Sequence, residues 1–300
     1  MTNLTDSKMI DIPGMAAKAL LYELSISPKP GLVDRYNNGA HTDMDFYTFI
    51  ESISALAPYF SAYYDFGHEY GQTGQLTDLF HGARMIGQDA EVAMFKATRG
   101  INTHKGANFS MALFLVAIGY IKQHKQEPIW TQHDSETTFS LIQEMTKDIL
   151  ANDFNNLDQK THLSYGEKLY LEHGIRGVRG EAIEGYPIIK DILMPYLRSC
   201  KYPLKESDYL KALLLLMTHI EDGNIIHRGG VESWKMIQSE AKDLFAQEKD
   251  DANLIKSLVE YDQLMIDRNL SPGGAADALA LGIFLIQLEN LPTVDLKKHK

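Results

Sequence analysis

The chain has 300 residues, 44% hydrophobic and 23% charged, enough apolar material for a sizeable core. Its 40 acidic and 29 basic residues give a formal net charge of −11, which argues against a general nucleic-acid or anionic-membrane surface but leaves room for a local basic pocket. The single cysteine, Cys200, excludes an intrachain disulfide and fits a reducing cytoplasm.

The N-terminus carries Asn3, Asp6 and Asp11 and does not read as a signal peptide. Apolar residues then recur at helical spacing almost everywhere. A first helix around Met15, Ala19 and Tyr22 should stop where Pro28 and Pro30 break it. Phe49, Ile53, Leu56, Phe60 and Tyr63 form one stripe, and Leu76, Leu79, Phe80, Ala83, Ile86, Ala90, Ala93 and Ala97 another. Met111 to Ile121 is the longest apolar run, far short of the ~20 residues of a membrane span, and reads as a buried core helix. Leu210, Leu213, Leu214 and Met217 form the next stripe, opened by Ser207 as N-cap and closed by Gly223. Val231, Trp234, Ile237, Ala241, Leu244 and Phe245 follow, then Leu254, Leu258, Tyr261 and Met265, and last a helix over Ala278 to Leu288.

No sustained alternation argues for strands, and no repeat or linker divides the chain. Gln123 to Glu136 and Asn152 to Ser164 read as looser, and residues 1–8 and 291–300 should fray. The expectation is an all-α protein, one large helical domain over residues 1–300, with its site built from inter-helix loops at helix N-termini.

Five loops carry the chemistry: Lys29 to Asp45, Gly100 to Asn108, His173 to Pro187, Glu221 to Gly230, and Asn269 to Asp277. Their glycines let backbone N–H groups approach an anion, and a helix starting just after a loop turns unpaired N–H groups and a positive dipole end toward it. Lys105, Arg176, Arg179 and Arg228 add positive donors suited to phosphate. The aspartates offer hard oxygen ligands, and Mg²⁺ takes one or two carboxylates together with substrate phosphates. Basic and acidic groups crowded around loop glycines therefore point to a Mg²⁺-polyphosphate.

Each loop alone has a plainer reading. A Gly-rich turn is commonly a C-cap followed by an N-cap, Ser271-Pro272-Gly273-Gly274 starts a helix, and Asp43 and Asp45 form a turn ahead of Phe46. His41, His104 and His227 each read equally as satisfied structural histidines. Five such loops in one helical chain exceed what connection requires. His133-Asp134 has the order of the HD phosphohydrolase dyad but lacks a matching His and Asp set at helical positions. A P-loop, a GxGxxG after a strand, HExxH and GxSxG are all absent.

The ordered segments KPGLVDRYNNGAHTDMDFYTFIES, GINTHKGANFSMAL, GVRGEAIEGYP, GNIIHRGG and NLSPGGAADALA resemble the triphosphoribosyl-dephospho-CoA synthase family from Lys29 to Ala280. Gly223 and Ala275 stand where that pattern leads one to expect a small hydroxyl residue and a serine. The resemblance implies a transferase that takes ATP and 3'-dephospho-CoA and releases adenine. Its product is the prosthetic-group precursor of citrate lyase, or of malonate decarboxylase in a related branch, passed on to the transferase that loads the acyl carrier subunit.

Under that resemblance the triphosphate is a handle and the chemistry lies at C1 of the ribose, where oxocarbenium character needs a carboxylate and the attacking hydroxyl a base. Glu181 or Asp34 is the expected catalytic carboxylate. Lys29, Arg35, His104, Lys105, Arg176, Arg179, His227 and Arg228, with Ser271 and the backbone at Gly106, Gly229, Gly273 and Gly274, are expected at the phosphates. Asn102, Asn224 and Asn269 are expected to fix ribose hydroxyls or to order the loops, and Asp43, Asp45, Asp222 and Asp277 to hold Mg²⁺. An all-α Mg²⁺-dependent nucleotide phosphohydrolase and a non-catalytic nucleotide-binding module are the competing readings. No nucleic-acid or membrane partner is expected; a homodimer is compatible with the sequence, which leaves oligomeric state open.

Overall fold

The structure is a computed structural model that describes residues 10–71, 74–125, 127, 129–149, 163, 165–247 and 250–291. Among the described residues there are twelve α-helices and no strand. They are α1 (Ile12–Ser25), α2 (Phe46–Glu69), α3 (Leu76–Ala97), α4 (Lys105–His124), α5 (Gln132–Thr146), α6 (Tyr165–His173) and α7 (Gly177–Ile183). A π-helical turn (Ile188–Leu193) runs into α8 (Met194–Ser199), followed by α9 (Glu206–Met217), α10 (Gly223–Ala246), α11 (Asp251–Asp267) and α12 (Gly273–Glu289).

Two helices have no polar face. Ala107, Asn108 and every residue from Ser110 to Gly119 in α4 are buried, as are Ala278 to Leu288 in α12. A helix apolar all round belongs at the centre. The amphipathic helices wrap the pair: α2 lies along α4 and α3, and α1 packs on α2 and α12. On the far side α9 bridges α10 and α12. The expected stripes supply the contacts, with Ile53, Leu56, Phe60 and Tyr63 of α2 at 3% exposure or less. Each such large apolar side chain contributes about 1.5–3 kcal/mol on burial. One core cluster runs from Ile12 to Leu288, and a small satellite joins Leu169, Ile175 and Ile226.

Side-chain caps set several helix starts earlier than the apolar stripes suggest. Asp222 accepts from the N–H groups of Asn224 (2.9 Å) and Ile225 (3.3 Å), so Gly223 opens α10 rather than closing α9, which ends at Met217. The α9 start also differs: Lys205, not Ser207, holds the N-cap position, and its N–H donates to Asp208 at 2.9 Å. Most of the expected loop at Glu221 to Gly230 is thus helix, broken at Gly230 (φ 79°) before the Val231 stripe. The expected loop at His173 to Pro187 contains α7. The stretch Gln123 to Glu136 is partly ordered, because Thr131 and Asp134 form a capping box that starts α5 and places His133-Asp134 in its first turn. Apart from residue 163, Asn152 to Ser164 lies outside the described residues, as do residues 1–8 and 292–300.

Candidate active site

The N-termini of α4, α10 and α12 converge on one cleft, and two aspartates join them. Asp222, capping α10, also accepts from the Ala275 N–H (3.1 Å) in the first turn of α12. Asp277, one turn into α12, reaches across to α4 and accepts from the Ala107 N–H. A Cβ on Gly106 would lie 2.2 Å from Asp277 Oδ2, so any side chain there would displace the Asp277 carboxyl. Three positive helix ends gathered in this way suit an anion.

The Lys29 to Asp45 loop closes one side. Asp34 organises it, accepting from Ser27 Oγ (2.5 Å) and the N–H groups of Lys29 (3.1 Å), Tyr36 (2.7 Å) and Asn37 (3.2 Å). Asp262 of α11 holds the same loop through Gly31 N–H (2.8 Å) and Asn37 Nδ2 (2.8 Å). Gly31 has φ 71°, and a Cβ there would meet the Leu270 carbonyl at 2.2 Å. Leu270 follows a Schellman turn in which Asn269, at φ 56°, ends α11: the Asn269 and Leu270 N–H groups donate to Ile266 and Met265, both at 2.9 Å.

Arg228 ties the loops together. Its Nη1 donates to the Ala40 carbonyl (2.6 Å) and to Asn269 Oδ1 (3.2 Å), and its Nη2 lies 3.1 Å from His41 Nδ1. His41 Nε2 meets Ser271 Oγ at 3.0 Å. Burial and then the Arg228 charge hold His41 below its ordinary pKa, against the pull of Asp43. A neutral His41 thus accepts from Arg228 and donates to Ser271, which keeps the serine proton available to a ligand.

The cleft encloses about 620 Å³, counting space open to solvent. Its polar lining includes Asn102, Thr103, His104, Asn224, Arg228, Ser271, Gly273 and Asp277, and its apolar lining Leu20, Leu32, Val33, Met44, Phe49 and Ala280. Glu23 and Lys29, also in the lining, form an ion pair at 2.5 Å with side chains 6% and 2% exposed. Burial raises the Glu23 carboxyl against the pull of Lys29. Burial likewise raises Asp277 well above the usual carboxylate range, reinforced by Glu23 and Asp222.

The cleft brings together only part of the expected set. Lys29 is present but bound to Glu23. Lys105 pairs with Glu91 at 3.0 Å on the exposed first turn of α4, and the Asn102 side chain accepts from the Lys105 N–H at 3.3 Å. Arg35 turns outward to Glu206 (2.8 Å), Arg176 pairs with Glu184, and Asp34 does not line the cleft. Arg179 on α7 is half-buried, whereas His227 and Gly229 on the first part of α10 are exposed. Gly274 packs against Asp222, where a Cβ would meet Oδ2 at 3.0 Å.

Glu181 stands on α7, half-buried, outside the cleft lining. Its pKa is pushed up to about 7, by burial first and then by Glu184 and Glu221, against the Ile188 N–H and Arg176. The adjacent Tyr186 is buried at φ 54° with its hydroxyl donating to Ser110 (2.9 Å), and it lies in the fields of both Glu181 and Asp277. A bulky residue in the left-handed region is unusual and held by its surroundings. Sequence reasoning passed over Glu23, Ser52, Tyr186 and Asp262.

The four expected metal ligands are dispersed. Asp45 caps α2 through Thr48, Asp43 lies at the rim 3.7 Å from His41, and Asp222 is spent on backbone N–H groups. Among the described residues no group of three or more His, Cys, Asp or Glu side chains is placed to hold a metal. Asp277 is the one expected metal ligand in the cleft lining, which fits a Mg²⁺ carried in largely by phosphate oxygens.

Helix N-termini converging on one cleft are suited to an anionic ligand. A family described as CitG, ATP:dephospho-CoA triphosphoribosyl transferase, matches residues 10–294, and the chain belongs to that family. It is therefore a transferase. Among its relatives is a Streptococcus mutans serotype c protein named "Probable 2-(5''-triphosphoribosyl)-3'-dephosphocoenzyme-A synthase", 46% identical over 296 residues, 96% of this chain and 99% of its own. A protein of the same name from Streptococcus pyogenes serotype M5 is 45% identical over 294 residues, 96% and 100% of the two chains. No solved structure matches. No helix among the described residues is long and apolar enough to cross a membrane.

Proposed function

We propose that this chain, acting in the cytoplasm, moves the 5-triphosphoribosyl group of ATP onto the 2'-hydroxyl of 3'-dephospho-CoA and releases adenine. The product is the prosthetic-group precursor that a separate transferase loads onto the acyl carrier subunit of citrate lyase or malonate decarboxylase. The convergence of three helix N-termini with Arg228 and Ser271 on one cleft carries the reading, because it offers a cradle for a triphosphate that stays intact.

In the reaction the C1'–N9 bond of ATP breaks and the bond from C1' to the 2'-oxygen forms. The proton lost by that hydroxyl balances the proton gained by adenine. Arg228, Ser271, Asn224 and the N–H groups at Gly106 and Gly273 hold phosphate and ribose oxygens, with Lys105, Arg179 and His227 further out. Glu181, raised to about 7 and standing on α7 beside the cleft rather than in its lining, serves as the base or the stabiliser of positive charge at C1', which requires the ribose to extend from the cleft toward α7. Asp277, which would have to give up its proton to do so, would hold Mg²⁺, with Asp43 at the rim; the ion would neutralise phosphate charge.

Product analysis with ATP, Mg²⁺ and 3'-dephospho-CoA tests the transfer. Free adenine supports it. Phosphate or pyrophosphate in its place indicates a phosphohydrolase, and tight binding without turnover a binding module. Arg228→Ala should weaken ATP binding by roughly 10- to 100-fold, the scale of a lost charge-assisted hydrogen bond, and adenosine binding much less. Calorimetric titration of both ligands checks this, and equal losses refute phosphate contact.

A further inference from the structure

His104 is 3% exposed, stands at the N-cap of α4, and lines the cleft. Its Nδ1 lies 2.7 Å from Ser52 Oγ on α2, and Thr103 Oγ1 donates to the same serine oxygen at 2.7 Å. Thr103 fills one acceptor position of the fully buried Ser52 and leaves the serine proton free to be donated to His104 Nδ1. With that donation the imidazole proton is on Nε2, which is buried and, among the described residues, without a hydrogen-bond partner. Anchoring at Nδ1 leaves Nε2 on the ring edge away from Ser52, and His104 is part of the cleft lining. A buried donor left unmade costs about 1–3 kcal/mol, so such a group calls for a ligand acceptor.

The surroundings define the acceptor. Phe49 meets the His104 ring edge-on, centroids 4.9 Å apart at 86°. Leu20, Leu32, Val33 and Met44 line the same cleft. Burial first, then the Lys29 charge, lowers the imidazole pKa to about 3, so it stays neutral. A neutral donor beside an aromatic edge and aliphatic walls suits a flat heteroaromatic ring with acceptor nitrogens better than a phosphate, for which Arg228 and the helix N-termini are at hand.

We propose that His104, fixed by Ser52 and Thr103 as an Nε2–H donor, holds a ring nitrogen of an adenine base in the apolar part of the cleft. This deepens the transfer reading, in which both substrates carry adenine. Titrations of the full chain with ATP, 3'-dephospho-CoA, adenosine and inorganic triphosphate test it. His104→Phe keeps a ring against Phe49 and exchanges one unpartnered buried donor, Nε2–H, for another, the Ser52 hydroxyl, so its Tm should stay close to that of the parent. Adenosine affinity should fall roughly 10- to 100-fold with triphosphate affinity unchanged. His104→Gln, which restores an N–H donor, should recover part of the loss.

A parallel loss for ATP identifies the base as that of the triphosphate donor, and a parallel loss for dephospho-CoA as that of the acceptor. A folded His104→Phe that binds adenosine as the parent does, or that loses triphosphate instead, overturns the proposal. Failure of the parent to release adenine would overturn the transfer reading separately, since these comparisons measure binding alone.

Discussion

Replacing Glu181 with glutamine should lower turnover by about a hundredfold or more while ATP still binds with nearly parental affinity. Glutamine keeps the shape and loses the proton-accepting charge. The Glu181 carboxyl is raised to about 7, so a base in this position is active only above that pH, and parental turnover should climb through neutrality. Stability moves the other way. A carboxyl raised from 4.5 in the unfolded chain to about 7 in the folded one binds more protons when folded. Its favourable contribution is complete below pH 4.5 and is lost as pH rises toward 7. Glu181→Gln removes that loss, so its Tm relative to the parent should be higher at pH 8 than at pH 4.5. Steady-state kinetics, ATP titration and melting curves at the two pH values check the set. Normal turnover, or a collapse of ATP affinity with normal turnover of bound ATP, would remove Glu181 from the chemistry.

Lys29→Met should cost about 3–5 kcal/mol of stability, because it leaves Glu23 buried without its partner. The pair sits 2.5 Å apart with both side chains nearly inaccessible. Without Lys29 the Glu23 carboxyl, already raised by burial, moves further up. The loss should therefore be larger at pH 8, where the unfolded chain gains by ionising, than at pH 5. The double variant Glu23→Leu with Lys29→Met should recover most of it, since buried ion pairs are commonly replaceable by apolar pairs. Urea unfolding of the three proteins decides. A single variant within about 1 kcal/mol of the parent would mean that the pair is hydrated and weakly coupled.

The helices were legible because burial imposes period 3.6. Phe49 to Tyr63 and Leu254 to Met265 are the faces of α2 and α11, and the Met111 to Ile121 run is central in α4. Helix starts were less so, since the caps at Asp222, Thr131 and Asp45 start their helices in polar stretches that read as loop or turn. The loop chemistry was visible in composition, but composition does not say which charge meets which. Arg228 reaches Ala40, 188 positions away, and Asp222 reaches Ala275, 53 away. Lys29 and Arg35 read as phosphate ligands because their carboxylate partners, Glu23 and Glu206, lie outside the loops. One signal was present and unused. Glu23, Ser52 and Asp262 each interrupt an apolar helical face, beside Leu20, Leu56 and Leu258 respectively, and each proves buried with a partner in a neighbouring loop or at a helix N-terminus.

The fate of the γ-phosphate tests the transfer most directly. With γ-labelled ATP, Mg²⁺ and 3'-dephospho-CoA, the label should appear in a product heavier than dephospho-CoA by one triphosphoribosyl group, with one equivalent of unlabelled adenine released. Label appearing as inorganic phosphate or pyrophosphate, with adenine still attached to its ribose, would contradict the account.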